Sequence, residues 1–212
     1  SSDMLLVGNE SGYVSLWHIA SPLNNLEDIT LVSENYHGSN ASITATACSS
    51  NSTFVISGSQ AGVLIIWRIE QGGLNKNATI DSGYFSPITS LSFRSDGLRI
   101  AACSEGDPTV KVWDMHGSMS REMCVDNVGV SAVAWSDDMR TLVTVPVNGT
   151  ELVVWDAESS GKITRLTGHH KPVSCIDFVW IPTSPETVMC SLLTGCDDCL
   201  VRFWNFSGMV PG

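Results

Sequence analysis

The sequence predicts an all-β protein built from a repeated unit, and three observations support this. Five tryptophans end short apolar runs at spacings of 50, 46, 42 and 49 residues: Trp17, Trp67, Trp113, Trp155 and Trp204. Each run follows a turn rich in Gly, Asn, Ser or Asp, such as GNESG or PVNGT, and another apolar run precedes that turn. Such paired runs around a turn are typical of β-hairpins, and no long stretch carries helical periodicity.

Two further runs complete most units. The last four hairpins are preceded by SITATACS, PITSLSFR, VSAVAWS and PVSCIDFV, which alternate or run apolar. Weaker runs such as ITLVSE and ATIDSG follow the tryptophan. Four short strands in about 40 to 50 residues is the period of a β-propeller blade. One insertion, IPTSPET from Ile181, is expected to lengthen a loop.

The units resemble WD40 repeats. VKVWD (110–114) and LVVWD (152–156) end two strands in Trp-Asp, and Gly168-His169 matches the Gly-His of the family. The resemblance runs from Met4 to Phe206 and implies a partial WD40 β-propeller, about four and a half four-stranded blades of a seven-bladed ring. The first unit lacks its innermost strand and the last lacks its outermost. We therefore expect residues 1–212 to be one propeller segment, with the rest of the ring outside this chain.

The resemblance also implies a buried hydrogen-bonded chain in the last unit, and we expect it to be structural. The matching residues are His169, Thr194, Asp198 and Trp204. In the third unit Asp107 stands at the matching turn position, but Tyr84 replaces the histidine. The remaining units carry Ser11, Ala61 and Gly149 at the turn, so we expect no such network there.

Composition narrows the function classes. The formal net charge is −11, from 22 acidic and 11 basic residues. No Lys/Arg cluster suggests direct nucleic-acid binding, and no apolar run is long enough for membrane insertion. The acidic balance would suit a basic partner, or serve solubility alone. Seven cysteines, mostly in apolar stretches, favour an intracellular protein, cytoplasmic or possible in the nucleus. Six N-x-S/T sequons leave a glycosylated secreted chain as the alternative.

No motif indicates catalysis, so we expect no enzyme activity, no cofactor and no small-molecule substrate. Neither a G-x-S-x-G nor a phosphate-binding glycine loop occurs. Cys196 and Cys199 form a C-x-x-C motif near His169 and His170 in the sequence, and such residues can bind zinc. A structural zinc site usually needs a second such pair, and we therefore predict no metal.

The predicted function is a scaffold that presents loops to protein partners. In the family, ligands dock on the face formed by the tryptophan-hairpin turns and the loops leading into the innermost strands. On that face the residues expected to contact partners are Tyr84, Phe85, Glu105, Asp107, Asp126 and Lys171. The alternative is an adaptor that captures a short basic or modified tail at the central mouth.

Overall fold

The described residues form 18 strands in five antiparallel sheets. A computed structural model describes residues 2–20, 28–38, 40–126, 128–184 and 187–205. The first sheet is β1 (Ser2–Gly8), β2 (Tyr13–Ala20) and β3 (Ile29–Tyr36); the second is β4 (Ile43–Cys48), β5 (Phe54–Ser59), β6 (Val63–Glu70) and β7 (Gly73–Asp81). The third is β8 (Ile88–Phe93), β9 (Arg99–Ser104), β10 (Thr109–Asp114) and β11 (Met119–Cys124); the fourth is β12 (Val130–Trp135), β13 (Thr141–Pro146), β14 (Leu152–Asp156) and β15 (Gly161–Leu166). The fifth is β16 (Val173–Ser184), β17 (Thr187–Cys196) and β18 (Val201–Asn205).

Each sheet is a blade whose strands pair in chain order, so the prediction of an all-β partial propeller is confirmed. The first and last sheets have three strands and the other three have four, as the sequence indicated. Among the described residues there is no helix of the length and apolar character needed to cross a membrane.

The core consists of apolar layers between consecutive blades. Between the third and fourth blades, Val112 and Met123 meet Trp135, Leu142 and Trp155. Corresponding clusters join the first blade to the second, the second to the third and the fourth to the fifth. A central strand such as β13, whose six residues are all buried, has a neighbouring blade on each face. This explains why the sequence shows near-continuous apolar runs there.

A β-bulge recurs at the same place in the first four blades. The register between the third and fourth strands shifts immediately before Trp17, Trp67, Trp113 and Trp155. A bulge adds one residue to one strand and increases the local twist of the sheet. In each blade the extra residue lies in the fourth strand: Val32, Asn77, Ser120 and Ile163. These bulges could not be predicted, because the fourth strands have mixed polarity and no regular alternation that an extra residue would interrupt.

The fifth blade corrects one expectation. The insertion from Ile181 continues the hairpin, since Ile181 pairs with Met189 and Ser184 pairs with Thr187. β16 is therefore twelve residues long, while the other innermost strands have six. Pro182 lies within β16, where proline is tolerated because an edge strand lacks a hydrogen-bonded neighbour on one side.

The two outermost blades of the stack expose apolar side chains. In the first blade and the fifth blade these are Met4, Leu5, Val7, Leu31, Val32, Leu200, Val201 and Phe203. Each of these blades has a neighbouring blade on only one face among the described residues, which leaves the other face open to solvent. Large exposed apolar patches are unusual on monomeric proteins and often mark surfaces that interact with another part of an assembly.

Close contact between consecutive blades depends on glycines near the ends of β1 and β5. A Cβ atom added to Gly58 would lie 2.7 Å from Ile88 Cγ2, at the start of the next innermost strand. Gly8 approaches Ile43 in the same way one blade earlier. Only a residue without a side chain allows the β-branched isoleucine to lie this near.

We expect Gly58→Ala to lower the free energy of unfolding by about 1 to 3 kcal/mol, because the added methyl group overpacks a rigid contact. Urea unfolding measures the change. Gly161→Ala is the control, since its Cβ would meet only the side chain of Ser159, whose Oγ at 3.0 Å can rotate away. A loss at Gly58 no larger than the loss at Gly161 would show that this contact does not limit blade packing.

Candidate functional site

The tryptophan-hairpin turns and the loops leading into the innermost strands lie on one face of the molecule. Backbone hydrogen bonds join them: Val147 N donates to Gly129 O (2.8 Å) and Asp197 N to Pro172 O (3.1 Å). Between blades, Val173 N donates to Gly149 O at 3.0 Å. We call this surface the loop face; it comprises residues 9–12, 36–38, 40–42, 60–62, 82–87, 105–108, 125–126, 128–129, 147–151, 167–172 and 197–200.

Tyr84 does not lie on the surface, although the sequence suggested that it contacts partners. Its side chain is only 3% exposed. The hydroxyl is 2.9 Å from Ala102 O and 3.0 Å from Thr109 O, and it accepts from Lys111 N at 3.2 Å. Tyr84 therefore joins the blade core at the position where the family has histidine. Its edge-on contact with Trp113, with ring centroids 6.4 Å apart, explains why an aromatic residue fits.

Phe85, the next residue, is fully exposed on the loop face, at 102% of its reference area. The loop that carries it is well fixed. Tyr84 N donates to Ser82 Oγ at 3.1 Å, and Ser86 Oγ lies 2.5 Å from Ser104 Oγ. Phe85 is thus an apolar side chain held in water by a rigid loop.

The acidic residues of the third blade have different surroundings. Glu105 is exposed on the turn that packs against Ser86. Asp107 is half-buried, and its Oδ1 accepts from both Thr109 N (2.8 Å) and Thr109 Oγ1 (2.5 Å). Asp107 therefore closes its own turn, while Glu105 is available to a partner beside Phe85.

The other two predicted contact residues belong to other parts of the face. Asp126 is paired with Lys162 at 2.9 Å and with Arg165, and hydrogen bonds from Lys162 and then Arg165 lower the pKa of its carboxyl group. Lys171 is exposed on the fifth blade, where its carbonyl accepts from Cys196 Sγ at 2.9 Å. The six residues do not form one patch; the third blade brings Phe85 and Glu105 onto adjacent segments.

The structure brings together the four residues expected to form a buried chain in the fifth blade. His169 Nε2 lies 2.7 Å from Thr194 Oγ1, and Trp204 Nε1 donates to the same oxygen at 2.9 Å. His169 and Thr194 are both buried. His169 Nδ1 is 3.7 Å from Asp198 Oδ2, which is too long for a direct hydrogen bond.

Arg202, which the sequence analysis missed, lies between these two groups. Its Nη1 is 2.6 Å from His169 Nδ1 and 2.8 Å from Asp198 Oδ2. A guanidinium can only donate, so His169 Nδ1 accepts and the ring proton is assigned to Nε2, which donates to Thr194. The available signal was position, because Arg202 stands two residues before its tryptophan. Lys111 has that position in the third blade, where Nζ donates to Ser82 O at 3.0 Å.

The charges in this cluster follow from the same contacts. Burial first, and the neighbouring Arg202 cation second, lower the pKa of His169, so the imidazole is neutral. Burial acts to raise the pKa of Asp198, but hydrogen bonds from Arg202, Leu200 N and other donors outweigh it and hold that pKa far below its usual range. The cluster is a neutral histidine beside a carboxylate–guanidinium pair.

One group of possible metal ligands occurs in the described residues. The ligand atoms of His169, Cys196 and Asp198 all lie within 4.8 Å of one another. Arg202 already provides a cation to two of them, and the Cys196 thiol donates to Lys171 O. A divalent ion could bind there only if Arg202 moved, so the donor set does not suit a metal.

The other blades keep more of this network than the sequence suggested. Trp67 Nε1 donates to Ser57 Oγ at 2.8 Å, and Trp155 Nε1 to Thr144 Oγ1 at 2.9 Å. The turn aspartate is missing in both blades, but the bond between tryptophan and hydroxyl group persists. His37, which is buried, reaches Ser57 O at 3.3 Å in the second blade. The expectation that the network is wholly absent there was wrong, because its two halves form independently.

We expect the free energy of unfolding to fall as the pH drops below about 6.5, the ordinary histidine value. The pKa of His169 is lowered, and so is that of His37, chiefly by burial. Below that pH these two histidines bind protons in the unfolded chain but stay neutral in the folded chain, so acid favours unfolding. Urea unfolding at several pH values, with His169→Gln for comparison, measures this slope.

Arg202→Met should raise the pKa of His169, because it removes the neighbouring cation. NMR titration of the His169 ring, assigned with His169→Gln, measures the pKa. Arg68→Met removes an exposed guanidinium far along the chain and should leave the His169 titration in place. An unchanged pKa in Arg202→Met would show that Arg202 does not control the charge of this histidine.

The sequence is similar to known WD-repeat proteins. The sequence pattern described as WD domain, G-beta repeat matches residues 30–68, 76–114 and 160–205, more than half of the chain. Striatin-4 of Homo sapiens is 24% identical over 96% of this chain and 29% of its own length. Two Arabidopsis thaliana proteins each align with 83% of the chain: Autophagy-related protein 16 (22% identical, 32% of its length) and Cell division cycle 20.1, cofactor of APC complex (23% identical, 38% of its length). This chain thus spans little more than a third of these relatives at most, and it belongs to the WD40-repeat family.

Proposed function

We propose that this protein is a non-enzymatic scaffold that binds partner proteins through its loop face. Family membership supports an interaction role, since WD40 proteins are typically interaction modules without enzymatic activity. One relative is named as a cofactor of the APC complex, which is an assembly role for that protein. The observation that carries the proposal for this chain is the fully exposed Phe85 beside exposed Glu105.

Phe85 has the properties of an interface anchor. Burying an aromatic side chain in a partner pocket contributes much of the binding free energy at a typical interface. The hydrogen bonds of Tyr84 and Ser86 fix the loop, so little conformational entropy is lost when Phe85 is captured. Glu105, on the turn that packs against Ser86, adds an exposed negative charge to the same part of the loop face, and the net charge of the chain is −11. The partner surface therefore combines an apolar pocket with basic residues.

The polar cluster of the fifth blade also supports a role without chemistry. Both nitrogens of His169 are already engaged, by Thr194 and by Arg202. The Thr194 hydroxyl group is fully buried and accepts from Trp204, so no substrate can reach it. A histidine held neutral and bonded on both sides stabilises the blade and is not available as a general base.

Full-length protein captured from its native cells tests the loop face. We expect Phe85→Ala with Glu105→Gln to lose a stoichiometric partner that the wild type retains. A truncated anchor of this kind costs about 2 kcal/mol or more in binding. Leu98→Ala is the matched control, because Leu98 is 60% exposed on a hairpin turn at the other end of its blade. A partner that stays on the loop-face variant but leaves the control would overturn the assignment.

We further infer that the described blades are part of a larger ring, in which neighbouring blades cover the open faces of the first and fifth sheets. Phe203 is 64% exposed in the fifth blade, and Leu5 is 46% exposed in the first. Burying both faces of every blade is the arrangement that the core clusters already follow.

In full-length protein, Phe203→Ala should then lower the free energy of unfolding by about 3 kcal/mol or more, as for a buried phenylalanine. Phe85→Ala provides a matched control, since the same change on the loop face should have little effect on stability. Thermal unfolding compares the two variants. Equal, small effects would mean that Phe203 remains in water and that no blade covers this face.

A further inference from the structure

The hairpin turn of the fifth blade carries two cysteines that the proposed function does not use. Cys196 ends β17, and Cys199 lies three residues later on the loop face. Cys199 N donates to Cys196 O at 3.0 Å, which closes a four-residue β-turn. The end residues of such a turn have Cα atoms less than about 7 Å apart. A disulfide needs a Cα separation of about 4.4 to 6.8 Å, so the backbone of this turn has a suitable span.

The backbone of Cys199 has a left-handed conformation, with a φ of 65°. The corresponding turns of the first and second blades are closed by Gly12 and Gly62, whose φ values are 82° and 78°. Glycine adopts this conformation freely, whereas a residue with a Cβ atom is strained in it. The fifth blade therefore has a cysteine where the backbone of the turn favours glycine.

Cys196 also replaces a residue that closes its turn better. At this position the first blade has Asn9 and the second has Ser59, whose side chains accept hydrogen bonds from backbone N–H groups of their own turns, at 2.9 to 3.3 Å. Cys196 Sγ accepts from Asp198 N at 3.4 Å, and a thiol is a weak acceptor. The needs of the turn thus explain neither cysteine, whereas the chemistry of two neighbouring thiols explains both.

The Cys196 thiol connects this turn to the loop that leads into β16. Its Sγ donates to Lys171 O at 2.9 Å. The same loop carries His170, whose backbone N donates to Asp198 Oδ2 in the turn at 3.4 Å. A disulfide to Cys199 removes the thiol hydrogen that Lys171 O accepts and repositions the turn that carries Asp198. The oxidation state of the two thiols therefore determines how firmly this loop is held.

We propose that Cys196 and Cys199 form a disulfide when the protein meets a peroxide, and that this disulfide loosens the loop that contains Lys171. Cys199 is exposed and reacts first: its sulfur takes one oxygen atom from hydrogen peroxide, which gives a sulfenic acid and one water molecule. The Cys196 sulfur then attacks the sulfenic sulfur, and the oxygen leaves as a second water molecule with the two remaining protons. The two thiols together lose two electrons, which reduce the peroxide.

Cys175 is the competitor that an experiment has to separate from this pair. It lies on β16 and pairs with Gly195, the neighbour of Cys196 on β17. Successive residues of a strand point to opposite faces, so Cys175 shares the face of Gly195 and Cys196 has the other face. We therefore expect Cys175 to remain a free thiol when the disulfide forms. The inference concerns the fifth blade and does not depend on the role proposed for Phe85.

The first test treats full-length protein with hydrogen peroxide in the presence of a chelator, so that no metal ion holds the thiols. Free thiols are then blocked with iodoacetamide, and the chain is cleaved before aspartate residues. Cleavage before Asp197 separates Cys196 from Cys199 unless a disulfide joins the two fragments. We expect mass spectrometry to find the joined fragments, and dithiothreitol to separate them.

Serine variants identify the sulfur atoms. Cys196→Ser and Cys199→Ser should each lower the yield of joined fragments about tenfold or more, since each removes one sulfur of the bond. Cys175→Ser is the matched control and should leave the yield unchanged. Phe85→Ala should also leave it unchanged, so failure of the loop-face function and failure of this pair are distinguished. Joined fragments in Cys196→Ser, or a sulfenic acid on Cys199 that never forms the disulfide, would refute the proposal.

The second test measures hydrogen exchange of backbone amides in the reduced and the oxidised protein. Oxidation should speed exchange of the His170 amide about threefold or more, because its acceptor Asp198 lies in the altered turn. The Val147 amide, which donates to Gly129 O at 2.8 Å in the fourth blade, is the control and should not change. An unchanged His170 amide in protein that carries the disulfide would show that the bond does not loosen the loop.

Discussion

The blades are held together by apolar side chains that each central strand directs to both of its faces. Val112 and Trp155 meet in one such layer, and every pair of consecutive blades has its own. Where the next blade comes closest, the strands carry Gly58 and Gly8, because a Cβ atom at either position would overlap an isoleucine of that blade. The loops at the two ends of the strands are therefore free to differ while the stack between them stays constant.

Apart from Trp135 Nε1, the buried side-chain nitrogen and oxygen atoms of the described residues all have hydrogen-bond partners. Trp67 and Trp155 each donate to a buried hydroxyl group, and in the fifth blade the bond extends to His169. Arg202 then couples the histidine to Asp198, which places a buried neutral ring next to an ion pair. In the third blade the Tyr84 hydroxyl group accepts from Lys111 N, and Lys111 Nζ donates to Ser82 O, so these buried polar groups are also satisfied. These clusters stabilise the blades by satisfying the polar groups that the blades bury.

The two ends of the innermost strands offer different chemistry to partners. On the loop face, a rigid loop presents Phe85 beside Glu105, which suits an apolar pocket with basic surroundings. At the other end, Arg94, Asp137 and Asp177 are among the residues that line an open cavity of about 410 Å³. The stack of blades separates this cavity from the loop face.

The sequence alone determined the class, the strand count and the WD40 resemblance, because tryptophan spacing and turn residues are local and repeat five times. It also identified His169, Thr194, Asp198 and Trp204 as one group. It could not place Tyr84 in the core, extend the fifth hairpin through Ile181, or find Arg202, since each depends on what lies across a blade. The cavity at the end of the innermost strands opposite the loop face could not be predicted either. Its lining residues come from four blades and meet only when the sheets stack, and burial and hydrogen-bond satisfaction are properties of that stacking.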